Sequence, residues 1–208
     1  MARTKTSKAW MQEHVTDAYV RRAKQEGYRS RSAYKLLEIL EKDKLVRPGM
    51  TVIDLGAAPG GWSQVLAPLV GAKGQVIALD ILEMEPLRGA VVIRGDFSVE
   101  STLKLLEEQL GGRSIALVVS DMSPNISGVG LVDQARSIHL AELALEFARD
   151  RLKPDGDLLV KVFQGAGLDE FRKQLGVAFA SVAVRKPKAS RDRSSELYLL
   201  ARGRRQVS

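Results

Sequence analysis

Short runs of Val, Ile, Leu and Ala recur along the chain, separated by segments whose apolar residues return every three or four positions. The runs TVIDLG, QVIALD, AVVIRGD, IALVVSD and DLLVKVF are apolar through their middles instead of alternating, the pattern of parallel strands buried on both faces. Helical spacing lies between them near 61–70, 99–110 and 133–151, the last closed by KPDG, a helix-stop signal. Two helices are predicted upstream, near 8–26 and 32–43. Downstream, VAFASVAVRKP and SELYLLARG read as two late strands joined by the basic loop KASRDRSS. Strands alternating with helices predict a doubly wound, mostly parallel α/β sheet. A single domain is expected over 1–208, with a basic helical segment over 1–48 and a basic tail over 202–208.

The first strand runs into a glycine turn and a helix, IDLGAAPGGWSQVL over 53–66. A phosphate-cradling P-loop needs Lys followed by Ser or Thr at the helix start, and here Gly61 is followed by Trp62. The dinucleotide fingerprint needs a second Gly two places after the first, where the backbone approaches a pyrophosphate, and Ala58 holds that place. The turn is therefore suited to a ligand without phosphate. Trp62 is expected either to wall the ligand pocket or to serve as packing.

Composition removes several function classes. The chain of 208 residues has no cysteine, which excludes disulfides and thiol catalysis, and its two histidines, His14 and His139, are too far apart in sequence to suggest a metal site. With neither an apolar run of about 18 residues nor a signal-peptide h-region, a soluble, cytoplasmic protein is expected. The net charge of +7 is unevenly placed: residues 1–50 hold 12 Lys/Arg against 6 Asp/Glu, residues 185–208 hold 8 against 2, and the stretch between holds 12 against 17. Two basic ends around an acidic body predict that the ends meet a polyanion through phosphate contacts, with binding that weakens as salt rises. Aromatic residues make up only 5% of the chain, too few for a base-stacking platform.

In doubly wound sheets ligands lie beyond the carboxyl ends of the strands. Here those ends carry acids: Asp54 beside Gly56, then Asp80, Asp96 and Asp121, while the fifth strand contains Lys161. Asp80 falls 24 residues after Gly56, where an acid binds ribose hydroxyls. Asp96 is equally readable as a functional acid or a turn-former. Four carboxylates would repel a pyrophosphate but suit a sulfonium and an ammonium beside a ribose and an adenine. S-adenosylmethionine has those groups. On this reading Gly56 and Gly60 let the backbone lie against its methionine portion, Asp80 takes the ribose hydroxyls, Asp96 lies near the adenine amine, and the chemistry is methyl transfer.

The stretches MQEHVTDAYV, YRSRSAYKLLEI, DLGAAPGGWSQ, SDMSPNISG, VKVFQG and RKPKASRDRSSELYLLA, in that order from about residue 9 to 201, resemble the FtsJ-type ribosomal RNA 2'-O-ribose methyltransferases. The only departures are conservative, such as Ser123 where that loop usually has Ala. The resemblance implies a seven-stranded, Rossmann-like methyltransferase sheet and a catalytic set of Lys35, Asp121, Lys161 and Glu196; with the strand-end reading, the residues expected to bind S-adenosylmethionine are Gly56, Gly60, Trp62, Asp80, Asp96 and Asp121. It further implies a bacterial enzyme acting on a uridine of 23S ribosomal RNA within the large ribosomal subunit; no metal or membrane is expected, and the protein is expected to be a monomer. Alternatives are a transfer RNA or mRNA-cap 2'-O-methyltransferase, or a non-catalytic RNA-binding assembly factor.

The residues themselves weight that set unevenly. A lysine within an apolar strand is costly to bury unless paired or employed, which singles out Lys161, with Asp121 at the end of the neighbouring strand as its partner. A structural ion pair is the competing reading. Glu196 reads alone as a surface acid. Lys35 lies opposite the face formed by Ala33, Leu36, Leu37 and Leu40, so periodicity predicts a solvated side chain. A free lysine titrates near pH 10.4, so Lys161 acts either as a base, after desolvation or beside a cation such as Lys35, or by electrostatic stabilisation of the oxygen.

Overall fold

A computed structural model, which describes residues 17–124, 127, 130–191 and 194–206, lays the five apolar runs side by side. They form β1 (Thr51–Leu55), β2 (Gln75–Asp80), β3 (Ala90–Arg94), β4 (Ile115–Ser120) and β5 (Leu152–Phe163), completed by β6 (Phe179–Arg185) and β7 (Glu196–Arg204). The seven strands are ordered β3-β2-β1-β4-β5-β7-β6. β1 to β5 pair in parallel, and β7 runs antiparallel between β5 and β6. The order reverses between β1 and β4, which is where such sheets open a ligand crevice.

The pleat sends alternate residues to opposite faces. Ile53, Leu55, Ile77, Leu79, Val118 and Val160 pack against one helical layer, α4 (Glu100–Leu110), α5 (Gly130–Arg151) and α6 (Leu168–Ala178). Val52, Val76, Leu117, Val119, Leu159 and Leu200 meet the other, α2 (Ser32–Asp43) and α3 (Gly61–Val70). Burial on both faces explains why these strands show no alternation in sequence. Before α2 comes α1 (Ala18–Glu26). No helix among the described residues is long and apolar enough to cross a membrane.

Three elements differ from their sequence reading. The pattern singles out nothing between 163 and 177, yet α6 lies there, its Leu168, Phe171 and Leu175 spaced along one face behind Gly167 and two acids in its first turn. The segment is short and its polar positions dominate the window. KPDG reads as a helix stop and α5 does end at Arg151, but Lys153–Gly156 belong to β5, with Asp155 at φ +61° and the β4–β5 register shifted beside them. Within the helix expected over 8–26, α1 starts only at Ala18: Asp17 is extended and caps it, accepting from the N–H groups of Tyr19 (2.9 Å) and Val20 (3.4 Å). Residues 8–16 lie outside those described.

Two polar groups inside this frame affect stability. The Arg185 guanidinium grips Asp43 at the end of α2 through Nε (2.7 Å) and Nη2 (2.6 Å), and Arg202 bonds the Asp43 carbonyl, so α2 is pinned to β6 and β7. The hydrogen bonds from Arg185 hold the Asp43 carboxyl below its ordinary range. Asp54 lies in a strand buried at every position; burial pushes its carboxyl up to about 7, with the negative charges of Asp121 and Asp80 adding to the rise and the Ser63 hydroxyl (2.7 Å to Oδ2) opposing it.

Asp43→Ala leaves the Arg185 guanidinium without its acid and is expected to cost about 2 kcal/mol, less than for a fully enclosed pair because Arg185 reaches solvent. A lower urea midpoint at unchanged slope is the readout. Asp54 has the opposite sign of pH dependence from a salt-bridged acid. Its folded value of about 7 exceeds the unfolded value of about 3.9, so the folded state binds the extra proton and stability falls as pH rises between those values. Asp54→Asn should flatten that part of the stability–pH profile; a profile identical to the parent's would contradict it.

Candidate active site

The crevice at the strand reversal is built from two loops. The turn after β1 passes through Gly56 (φ +72°) and Gly60 (φ +105°), conformations that side chains with a Cβ rarely adopt. Both glycines also admit a neighbour: a Cβ at Gly56 would lie 2.3 Å from Met122 Cγ at the end of β4, and one at Gly60 would lie 3.0 Å from Arg29 Nη1 and Met84 Sδ. The loop after β2 is joined to this turn by Asp80, whose Oδ2 accepts from Ala58 N–H (2.8 Å) while Oδ1 accepts from Leu82 N–H (2.8 Å). Ile81 and Leu82, directly after Asp80, are about two-thirds exposed, an apolar lip beside a carboxylate. Inside the crevice wall Asp54 Oδ1 is buried without a hydrogen-bond partner. An orphaned carboxylate oxygen, a strand-end acid, glycine turns and an apolar lip match a ligand with cationic, diol and flat apolar parts.

Two residues expected at this crevice had two readings each, and the structure shows how their side chains are held. The Trp62 side chain is not a pocket wall: it is 2% exposed, its Nε1–H donates to the Ser32 carbonyl (2.9 Å), and its ring packs 5.6 Å from that of Tyr198. Only its main chain, at the start of α3 where helical N–H groups have no helical acceptor, is left to meet a ligand. Asp96 follows β3 and forms a turn, its Oδ1 accepting from Ser98 N–H (2.9 Å) and Oγ–H (2.7 Å), bonds that hold its carboxyl below the ordinary range.

Lys35, Asp121, Lys161 and Glu196 converge at the carboxyl ends of β4 and β5 and the start of β7. Lys161 Nζ donates to the Asp121 carbonyl (2.6 Å) and pairs with Asp121 Oδ1 (3.1 Å); Lys35 Nζ pairs with Glu196 Oε1 (2.6 Å). Tyr198, which the sequence reading missed, joins the two pairs. It stands opposite Lys161 in the β5–β7 register, its hydroxyl donates to Asp121 Oδ1 (2.7 Å), and the Lys35 ammonium lies 5.9 Å from its ring centre. Burial raises the phenol well above its ordinary value, so the hydroxyl stays a donor. The available signal was a tyrosine among leucines in a late strand, which gains meaning only from the antiparallel register.

Lys35 and Glu196 overturn their surface readings: both are under 10% exposed. Periodicity along α2 finds one apolar face, but this helix is covered on two sides. The loop before β7 lies against its outer side, with Lys188 N–H and Ala189 N–H donating to Glu38 (2.6 and 2.9 Å) and Ala189 clustering with Tyr34. Arg31 bonds both Asp17 and the Ala189 carbonyl, and Arg191 Nε reaches Asp17 Oδ2 (3.4 Å). The two basic ends thus meet beside the lysine pairs. Lys186 spans the Ser194 and Glu196 carbonyls (2.6 and 2.5 Å), fixing the entry to β7, while Arg193 lies outside the described residues.

Comparison with known proteins gives one answer. A model of FtsJ-like methyltransferases matches residues 28–204. Proteins named ribosomal RNA large subunit methyltransferase E are 60% identical in Nitrosospira multiformis, over 99% of this chain and 100% of the relative, and 61% identical in Dechloromonas aromatica, over 97% and 98%. The crystal structure of a Plasmodium falciparum protein described as a ribosomal RNA methyltransferase superposes with a TM-score of 0.77 at 26% identity, covering 85% of this chain and 98% of that one. With the glycine turn, the strand-end acids and the paired lysines in place over the matched span, the chain belongs to the FtsJ-like methyltransferase family.

Proposed function

We propose that the protein transfers a methyl group from S-adenosylmethionine to a ribose 2'-hydroxyl of ribosomal RNA, a uridine of 23S ribosomal RNA in the large subunit. The observation that carries this reading is the pair of buried lysine–carboxylate contacts joined through Tyr198 and set against the glycine turn. The names of the relatives above supply the RNA class.

When bound, S-adenosylmethionine supplies an electrophilic methyl carbon on a cationic sulfur. The main chain of the glycine turn and of Trp62, the carboxylates of Asp80 and Asp96, and the unpartnered oxygen of Asp54 are the groups that would hold it. Asp121 bounds the crevice at the end of β4. Lys161 Nζ directs two contacts at Asp121, leaving one of an ammonium's three donor positions for the substrate oxygen. Lys35 brings a second cation to the same corner, and Glu196 and Asp121 fix both amines in place. Tyr198 keeps the Asp121 carboxylate oriented by donating to it. Fixed cations at a water-poor site stabilise negative charge growing on the 2'-oxygen, and alignment of that oxygen with the methyl carbon supplies the rest. Where the proton goes, to Lys161 or past it, distinguishes a base from an electrostatic role.

Two experiments test this. With cofactor labelled in its methyl group and separate pools of large ribosomal subunits, free ribosomal RNA, transfer RNA and capped mRNA, label is expected on a ribose of 23S RNA; label confined to another pool reassigns the substrate, and none in any pool leaves a non-catalytic RNA-binding protein. Lys161→Ala is expected to lower kcat roughly 10³-fold with cofactor affinity near the parent's, the pattern of a contact made in the transition state. Lys161→Arg keeps the charge but cannot accept a proton, so an Arg variant close to the parent would exclude proton abstraction by this residue.

A further inference from the structure

The segment from Gly27 to Ser32 touches both loops of the crevice, and within it Arg29 reaches across to both. Its Nη1 donates to the Pro59 carbonyl (3.2 Å) in the glycine turn and to the Glu85 carbonyl (2.7 Å) in the loop after β2, and its Nη2 donates to the Pro86 carbonyl (2.6 Å). All three acceptors are main-chain oxygens. A guanidinium can do this because its donors fan out in one rigid plane, whereas an ammonium is a single point. The side chain also lies on Gly60, where a Cβ would come within 3.0 Å of Nη1 and 3.2 Å of Cδ.

Arg29 is itself held. Its N–H donates to Gln64 Oε1 (2.9 Å), and Gln64 Nε2 donates back to the Gly27 carbonyl (2.7 Å), so α3 brackets the segment from both sides. The same two loops are already joined through the Asp80 carboxylate to Ala58 and Leu82. The crevice is therefore bridged twice, once by its own strand-end acid and once by an arginine from the basic N-terminal part of the chain. Left unbridged at the second point, the Glu85–Pro86 loop would have to be ordered when the ligand arrives, and that lost freedom subtracts from affinity.

Resting on the cofactor assignment proposed above, we infer that Arg29 is a positioning residue for S-adenosylmethionine: it sets the separation of the glycine turn from the loop that follows Asp80, and hence the fit of the adenosyl group. Its donors face the enzyme's own carbonyls, which sets it apart from a residue kept for RNA phosphates.

The test is calorimetric titration of S-adenosylmethionine into the full-length parent, Arg29→Met, Arg29→Lys and Arg22→Ala, with kcat and KM for both substrates measured alongside. Arg29→Met should raise the Kd and KM for S-adenosylmethionine roughly tenfold while kcat at saturation stays within about twofold. Arg29→Lys should recover only a minor part, since one ammonium cannot span three carbonyls. Arg22, on the same basic stretch but paired with Glu26, controls for loss of charge, and Arg22→Ala should leave the cofactor Kd unchanged. Parent-like cofactor affinity in Arg29→Met overturns the inference, as does a loss confined to the KM for RNA, which would make Arg29 a phosphate contact. If Arg29→Met does not fold, parent-like affinity in Arg29→Lys overturns it equally. A parent that binds no S-adenosylmethionine is a different result, one that removes the cofactor assignment itself.

Discussion

The arrangement of this protein turns on the ammonium of Lys161, placed where β5 leaves an all-apolar core. Taking such a charge out of water costs several kcal/mol after relaxation, and attraction to a single acid offsets that only with close geometry and further hydrogen bonds. The structure meets both conditions with the carbonyl and carboxylate of Asp121, one residue beyond β4. For that residue to be within reach, β4 must be the parallel neighbour of β5, and β7 must run antiparallel on the other side so that Tyr198 stands opposite Lys161. The strand order and the site are in this sense one constraint. A shift of β7 by one residue would turn Tyr198 to the opposite face of the sheet and leave Asp121 without its donor.

The second lysine follows the same logic across a different boundary. Lys35 sits on a helix, outside the sheet, and its partner is the first residue of β7. Burying it requires that α2 be covered on its outer side, and the chain does this with the loop that precedes β7, fastened by the Glu38 carboxylate and by the Arg31, Asp17 and Arg191 contacts. Charges that look like solvated tails in sequence are therefore partly consumed in holding this cover. The remaining exposed cations of α1 and of the loop lie beside the site because the cover brings them there.

Much of this was legible from residues alone, for identifiable reasons. The parallel strands were readable because burial on both faces leaves unbroken apolar runs, and the crevice because glycines and acids gather at their ends. Lys161 and Asp121 were readable because a charge in an apolar strand demands a partner. Lys35, Glu196 and Tyr198 were not, since each depends on contact between segments far apart in the chain: Lys35 looked solvated only because one periodicity cannot reveal a helix packed on two sides. The family resemblance identified Lys35 and Glu196 but not the phenol between them. Trp62 stayed open between wall and packing because adjacency to a glycine turn says nothing of side-chain direction; its ring turns inward to Tyr198. α6 was invisible because its apolar positions are few and its window is mostly polar.

The place of β7 in the sheet also bears on when the protein becomes whole during synthesis. Strands β1 to β5 can pair in the order in which they are made, but β6 has no partner in the sheet other than β7, and β7 must enter between two strands already present. Until residues 196–204 have left the ribosome, Lys35 and Asp121 lack Glu196 and Tyr198, and the edge of β5 stands open. Loop closure over more than 150 residues of chain, between Lys35 and Glu196, makes that insertion a late event in folding. A growing chain can thus form much of the crevice wall early, while the paired-lysine site comes into being only with its last strand.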